Sequence, residues 1–176
     1  STSSQLIRRS FNYFWNETDN PETGFTRDRL AFDAANRNSD YDSRYNMASM
    51  AATGFGLSAM CVAAEKYGDG SDPDWQITKD QIKARVKLIM DSLLEIQNMQ
   101  AQGGDPAIWG KDGFFYHFVN IETGERWVDD DNRSEVSTID TAIVVAGVLT
   151  AGEYFGDDPV DSELNLKTKA LQIYRN

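Results

Sequence analysis

Two carboxylates, Glu135 and Asp140, stand at the front of the most apolar stretch of the chain, SEVSTIDTAIVVAGVLTAGEYFG (134–156). Such a pair could serve acid–base chemistry, which needs side chains that give and take protons in a shaped environment. The same residues have a structural use. Ser137 followed by Asp140 fits the S-x-x-[DE] capping box, and acidic groups in a first turn are stabilised by the helix dipole. If the helix begins near Glu135, however, Asp140 lies more than a turn inside it. A carboxylate buried there needs a partner or a ligand hydroxyl, and its surroundings can shift its pKa. Both uses remain open at this point.

Other candidates cluster in two loops. TGFTRDRLAFD places Arg27, Asp28 and Arg29 between apolar residues. They read as a surface ion pair with an Asp turn, or as a guanidinium and a carboxylate that grip ligand hydroxyls. His117, the single histidine, lies in GFFYHF beside Tyr116, on the opposite side of the alternation. It reads as a hydrogen-bonded structural residue or as part of a site. Trp15, Trp109 and Trp127 offer flat faces for stacking, or for a core.

These residues need elements to position them. Five helical segments are expected, at about 5–15, 47–67, 78–99, 134–156 and 161–174. The third is amphipathic: Ile82, Val86, Ile89, Leu93 and Ile96 form its stripe, with Lys79, Lys83, Lys87, Asp91 and Glu95 on the other faces. The first and fifth are also amphipathic. The second and fourth are apolar or small nearly all round, so protein must surround them. Strict alternation of the two kinds predicts inner and outer layers, the logic of an α/α barrel or toroid. Outer-to-inner links are long (about 16–46 and 100–134) and inner-to-outer links are short. Long loops in compact domains usually carry function, which puts any site at the N-termini of the inner helices. The second long loop holds a β-hairpin signal, 114–120 and 126–128 around Thr123-Gly124. Five alternating helices cannot close a ring, so residues 1–176 read as the N-terminal portion of a single larger domain.

Composition narrows the chemistry. A chain of 176 residues can bury a core. Its formal net charge of −11 argues against nucleic acid or an anionic membrane surface as partner. The run 47–64 is uncharged but too rich in Ser, Thr, Gly and Ala for membrane insertion. One cysteine, Cys61, excludes an intrachain disulfide and a Cys-based zinc site, and one histidine excludes a His-rich metal site. DDDNRSE (129–135) lacks the glycine of a calcium loop, GDGSDPD (68–74) is a turn, and TGFGLSA falls inside a helical pattern. Nothing calls for a metal or cofactor.

Several motifs together resemble the bacterial glucoamylase-like family, which includes endo-β-1,2-glucanases and a domain of cyclic β-1,2-glucan synthases. They are FNYFW, TRDR, MASMAATGFGLSAMCVAAE, GFFYHFVNIETGERW and SEVSTIDTAIVVAGVLTAGEYFG, in the family's order and across nearly the whole chain. The resemblance implies an all-α, incomplete (α/α)6 toroid and glycoside hydrolysis of a glucan, possibly β-1,2-linked, by carboxylates in a central cleft. On it, Asp28, Arg29, His117, Glu135 and Asp140 line the cleft, Glu135 and Asp140 being the catalytic candidates. Trp15, Tyr116 and Trp127 are candidates for stacking on sugar rings. The implied partners are an oligo- or polysaccharide and the remaining C-terminal half of the domain, without which the fragment is expected to be inactive. A non-catalytic glycan-binding module on the same scaffold is the alternative. A periplasmic or extracellular location is expected, because large glucans are usually met there.

Overall fold

The structure, a computed structural model, describes residues 2–17, 20–29, 45–129 and 133–176. Parts of the first long link (18–19 and 30–44) and of the acidic turn (130–132) lie outside the described residues. The chain is mainly helical: α1 (Thr2–Asn12), α2 (Met50–Tyr67), α3 (Lys79–Ala101), the one-turn α4 (Pro106–Trp109), α5 (Thr138–Phe155) and α6 (Leu166–Arg175). A wide helical turn, Tyr13–Glu17, extends α1, and a 3-10 turn, Ser162–Leu164, precedes α6. Two three-residue strands, β1 (Met47–Ser49) and β2 (Phe118–Asn120), pair antiparallel with Ala48 opposite Val119.

The two apolar helices form the centre. α2 packs on α5, α5 on α6, and α6 on α3. The approach of α2 to α5 is at backbone distance: a Cβ on Gly54 would lie 2.5 Å from the Ile143 carbonyl oxygen and 2.8 Å from Val144 Cα. A Cβ on Gly147 would run into the Gly54 backbone. The amphipathic stripe of α3 is wholly in the core, since Ile82, Val86, Ile89, Leu93 and Ile96 are all buried. Its charged side meets α6, where Asp91 takes Lys87 from its own helix and Lys169 from α6, each at 2.6 Å. Phe11, Trp15, Tyr67 and Trp75 stack into an aromatic corner that ties α1 to the end of α2.

Three expectations are corrected. Met47–Ser49 is a strand, because Ser49 is the N-cap of α2 and holds extended backbone at φ −102°, ψ 128°. α5 begins at Thr138 rather than near 134, again because a serine, Ser137, caps it in extended conformation. Asp140 is therefore in its first turn, and Glu135 is not helical. Finally, the apolar helices are not enclosed on all sides by the described residues: Phe55 and Val62 of α2 and Ile139 of α5 stand exposed. By length and composition α5 could cross a membrane, yet its buried face is the seam against α2.

The expected hairpin is present, with a wider role than expected. Val119 bridges Arg126, and the Trp127 amide donates to the Phe118 carbonyl (3.1 Å). The other edge of β2 holds β1, whose far edge pairs with residues 26–28 through an Arg27–Ala48 bridge. Residues 134–136 join beside the hairpin through a Tyr116–Val136 bridge. Segments distant in sequence thus form one narrow ribbon, and both α2 and α5 leave from it.

Candidate active site

The ribbon fastens both helix starts by the same device. Ser49 Oγ accepts the Ala52 amide of α2, and Ser137 Oγ accepts the Asp140 amide of α5, each at 3.2 Å. Four residues after each serine, a buried threonine accepts a ribbon amide: Thr53 Oγ1 from Thr26 and Thr141 Oγ1 from Phe115, each at 3.0 Å. Capping satisfies amides that the first turn otherwise leaves without partners. At the third position α2 has Ala52 where α5 has Asp140. One helix caps without a carboxylate, so the cap does not account for Asp140. The paired S-x-x-x-T spacing was visible in the sequence and passed over there.

Asp140 is buried, at 5% relative exposure. One carboxylate oxygen accepts a short hydrogen bond from Ser137 Oγ. The other lies 3.7 Å from His117 Nε2. The opposite ring nitrogen, His117 Nδ1, is 3.0 Å from Glu135 Oε1. The imidazole therefore stands between the two carboxylates, and its ring stacks on Phe118 with centroids 3.7 Å apart. Backbone bonds fix the arrangement: the His117 amide donates to the Glu135 carbonyl (2.9 Å) and the Met50 amide to the His117 carbonyl (3.2 Å). The Glu135 carboxyl is held below its ordinary value, first by its backbone amide; burial opposes this as the next effect in size, and His117 and Arg126 lower it further.

Glu135 borders a pocket of about 250 Å³ whose other walls include Arg29, Met47, Phe118, Trp127 and Arg133. Charged groups around an aromatic and aliphatic floor suit a ligand with both hydroxyls and flat apolar faces. The Trp127 indole N–H is buried without an acceptor. Arg29 also pairs with Asp28 at 2.9 Å, so the expected ion pair and the expected site contact are the same residues. A larger pocket, about 360 Å³, lies between the ends of α3 and α6. There the buried Gln97 amide is already committed to Gly113, Ile173 and Asn176, and the pocket has no paired carboxylates.

The structure thus brings together His117, Glu135 and Asp140, and sets Arg29 and Trp127 around the pocket that Glu135 borders, with Asp28 paired to Arg29. It does not bring in Tyr116 or Trp15. Tyr116 is buried, donates its hydroxyl to the Pro106 carbonyl (2.7 Å), and lies under the Arg126 guanidinium. Trp15 stacks on Phe11 and under Arg85 in the aromatic corner. Both are accounted for by packing. Trp109, on α4, is partly buried against the core. Arg126 and Arg133 were not anticipated as neighbours of Glu135, since the bridges that place them, Val119–Arg126 and Val128–Arg133, leave no local signal in the sequence. Among the described residues no group of three His, Cys, Asp or Glu side chains is placed to hold a metal ion.

No family model matches the sequence, and no curated protein matches it either. Solved structures match in fold. A putative glucoamylase from Bacteroides caccae superposes with a TM-score of 0.72 at 21% identity, over 98% of this chain and 35% of its own. An endo-β-1,2-glucanase from Chitinophaga pinensis, solved with sophorotriose and glucose, gives 0.69 at 22% identity, over 97% of this chain and 35% of its own. A β-1,2-glucanase from Parabacteroides distasonis gives 0.68 at 22% identity, over 98% and 20% respectively. The resemblance read from the motifs therefore holds at the level of the fold, and the chain spans about a third of the length of the first two of these structures.

Proposed function

We propose that this chain supplies part of the cleft of a glycoside hydrolase that cuts a glucan, β-1,2-linked, with Glu135 and Asp140 as its acid–base carboxylates. The observation that carries the reading is the pairing of these carboxylates on either side of His117, at the mouth of a pocket lined by Trp127 and Arg29. The shared fold supports the reaction class, and the β-1,2 linkage proposed is that named for two of the neighbours. Glu135 is exposed and its carboxyl is held low. A bound sugar would exclude water from it and push its pKa up, the direction a general acid requires. Asp28, Arg29 and Trp127 are the proposed sugar contacts.

The exposed face of α2 and α5 supports the remainder of the proposal. Helices this apolar are stable in water only when covered. On this reading further helices of an (α/α)6 toroid lie over Phe55, Val62 and Ile139 and complete the cleft, and the protein works in the periplasm or outside the cell. The remaining walls, and any further catalytic group, come with that cover.

The test is release of reducing ends from β-1,2-, β-1,3-, β-1,4- and α-1,4-glucans by a polypeptide carrying the complete domain. Turnover of the β-1,2-glucan alone is expected. Loss of at least about 100-fold is expected in Glu135→Gln and in Asp140→Asn. Turnover unchanged in both variants would overturn the assignment. Binding of the β-1,2-glucan without release would favour a glycan-binding module on the same scaffold.

A further inference from the structure

His117 was expected to touch substrate; its Nδ1 is hydrogen-bonded to Glu135, and its Nε2 faces the Asp140 carboxylate at 3.7 Å, beyond hydrogen-bond reach. An ionised carboxylate only accepts hydrogen bonds, so Nδ1 is the donor in the bond to Glu135. The partners differ in rigidity. Asp140 is buried, bonded to Ser137, and fixed in the first turn of a long helix. Glu135 is on extended backbone, and its side chain is 66% exposed. A tether between a fixed group and a loose one orients the loose one.

We propose that His117 is a positioning residue that, stacked on Phe118 and facing Asp140, holds the Glu135 carboxylate at the pocket in its working orientation. This rests on the reading of Glu135 as a catalytic carboxylate. The ring is well suited to the task. Its plane is fixed by the Phe118 stack and its backbone by Glu135 and Met50, so little freedom is left for it to lose when it binds Glu135. The other charged groups around Glu135 are Arg126, beside it, and Arg29, Asp129 and Arg133 around the pocket. Arg126 Nε donates to the Ser134 carbonyl at 2.6 Å, which leaves His117 as the side chain within hydrogen-bond reach of the Glu135 carboxylate among the described residues.

The role can be separated from substrate contact and from the hydrolase assignment. The first measurement needs no substrate: the Glu135 carboxyl is titrated by carbon NMR in wild type and in His117→Leu and His117→Gln. Its midpoint should rise toward the ordinary glutamate value in the leucine variant, and the glutamine variant, which keeps a donor, should fall between. A midpoint that stays at the wild-type value in both would overturn the proposal, whatever the protein hydrolyses. Should His117→Leu fail to fold, Glu135→Gln leaves His117 in place. The chain has one histidine, so its imidazole nitrogen signals are read without assignment. They should shift in that variant, where Nδ1 faces an amide in place of a carboxylate, and unaltered signals refute the tether. The second measurement is kinetic, in the complete domain. His117→Leu should lower kcat by about 100-fold, the cost of a misplaced reacting group, with KM little changed. Partial recovery is expected in His117→Gln. A raised KM at constant kcat would make His117 a substrate ligand and refute the positioning role.

Discussion

Replacing Gly54 by alanine sets two effects of known sign against each other. In an ordinary helix interior the change gains about 0.8–1.0 kcal/mol, because alanine loses less backbone entropy on folding. Here the new methyl would lie 2.5 Å from the Ile143 carbonyl oxygen and 2.8 Å from Ile143 C and Val144 Cα. These are all backbone atoms of α5, so no side chain can rotate away. The helices must part by roughly 1 Å before the contact is ordinary, and each atom pair along the seam then loses part of its dispersion attraction. Overpacking of this kind typically costs about 1–3 kcal/mol and occasionally more, and a backbone obstacle belongs at the upper end. A net loss of about 2 kcal/mol is expected, which for a domain of this size lowers Tm by roughly 4–8 °C. Thermal unfolding followed by circular dichroism reads it directly. Gly147→Ala should behave alike, since it obstructs the same seam. The double variant should cost clearly less than the sum, because helices already pushed apart have room for the second methyl. A Tm at or above wild type for Gly54→Ala would refute the backbone contact between α2 and α5, and additive losses would refute the shared seam.

Two further outcomes follow from the local geometry. Ser137→Ala and Ser49→Ala each remove a helix cap worth about 1 kcal/mol, but Ser137 also donates to the buried Asp140 carboxylate. The urea midpoint should therefore fall further for Ser137→Ala, and equal shifts would show that Asp140 does not depend on that bond. Burial pushes the Cys61 thiol up to about 11, and its Sγ lies 3.4 Å from the Leu57 carbonyl. Iodoacetamide at pH 8 should leave native Cys61 intact and modify it only in urea, as mass spectrometry would record; rapid labelling of the native protein would contradict the packing of α2.

How much of this was legible in the sequence depended on the range of the interaction. The α3 stripe was read residue for residue, because a 3.6-residue period over 23 residues is a strong local signal. The α5 start was misplaced because Ser134 and Ser137 are both capping residue types, and only the bond to the Asp140 amide distinguishes them. β1 was read as helix because three residues carry no period, and its partner β2 is some seventy positions away in the chain. The site divided in the same manner. Residue type singled out Glu135, Asp140 and His117 one by one. Placing one ring between the two carboxylates depends on the Tyr116–Val136 bridge, a pairing that no local pattern announces. Aromatic type did not foretell that Trp15 and Tyr116 pack away from Glu135, since a ring that packs and a ring that stacks on sugar have the same composition.

The position of the carboxylates follows from the ribbon. Two parallel neighbouring helices that start from one strip of extended backbone must present their first turns side by side, and first turns favour acceptors of hydrogen bonds and negative charge. On α2 Ser49 accepts the Ala52 amide, the His117 carbonyl takes the Met50 amide, and Thr53 accepts a ribbon amide. On α5 the equivalent pair is also present, and a carboxylate is added. Next to it, Ile139 is 67% exposed while Asp140 is buried, so within two consecutive residues α5 passes from its uncovered apolar face to the charged cluster. A helix that covered Ile139 would therefore reach the edge of the His117–Glu135–Asp140 group. In the proposed toroid that edge is where groups from the covering helices would face Glu135 across the cleft, which gives a physical reason to expect binding contacts, but no turnover, from these 176 residues alone.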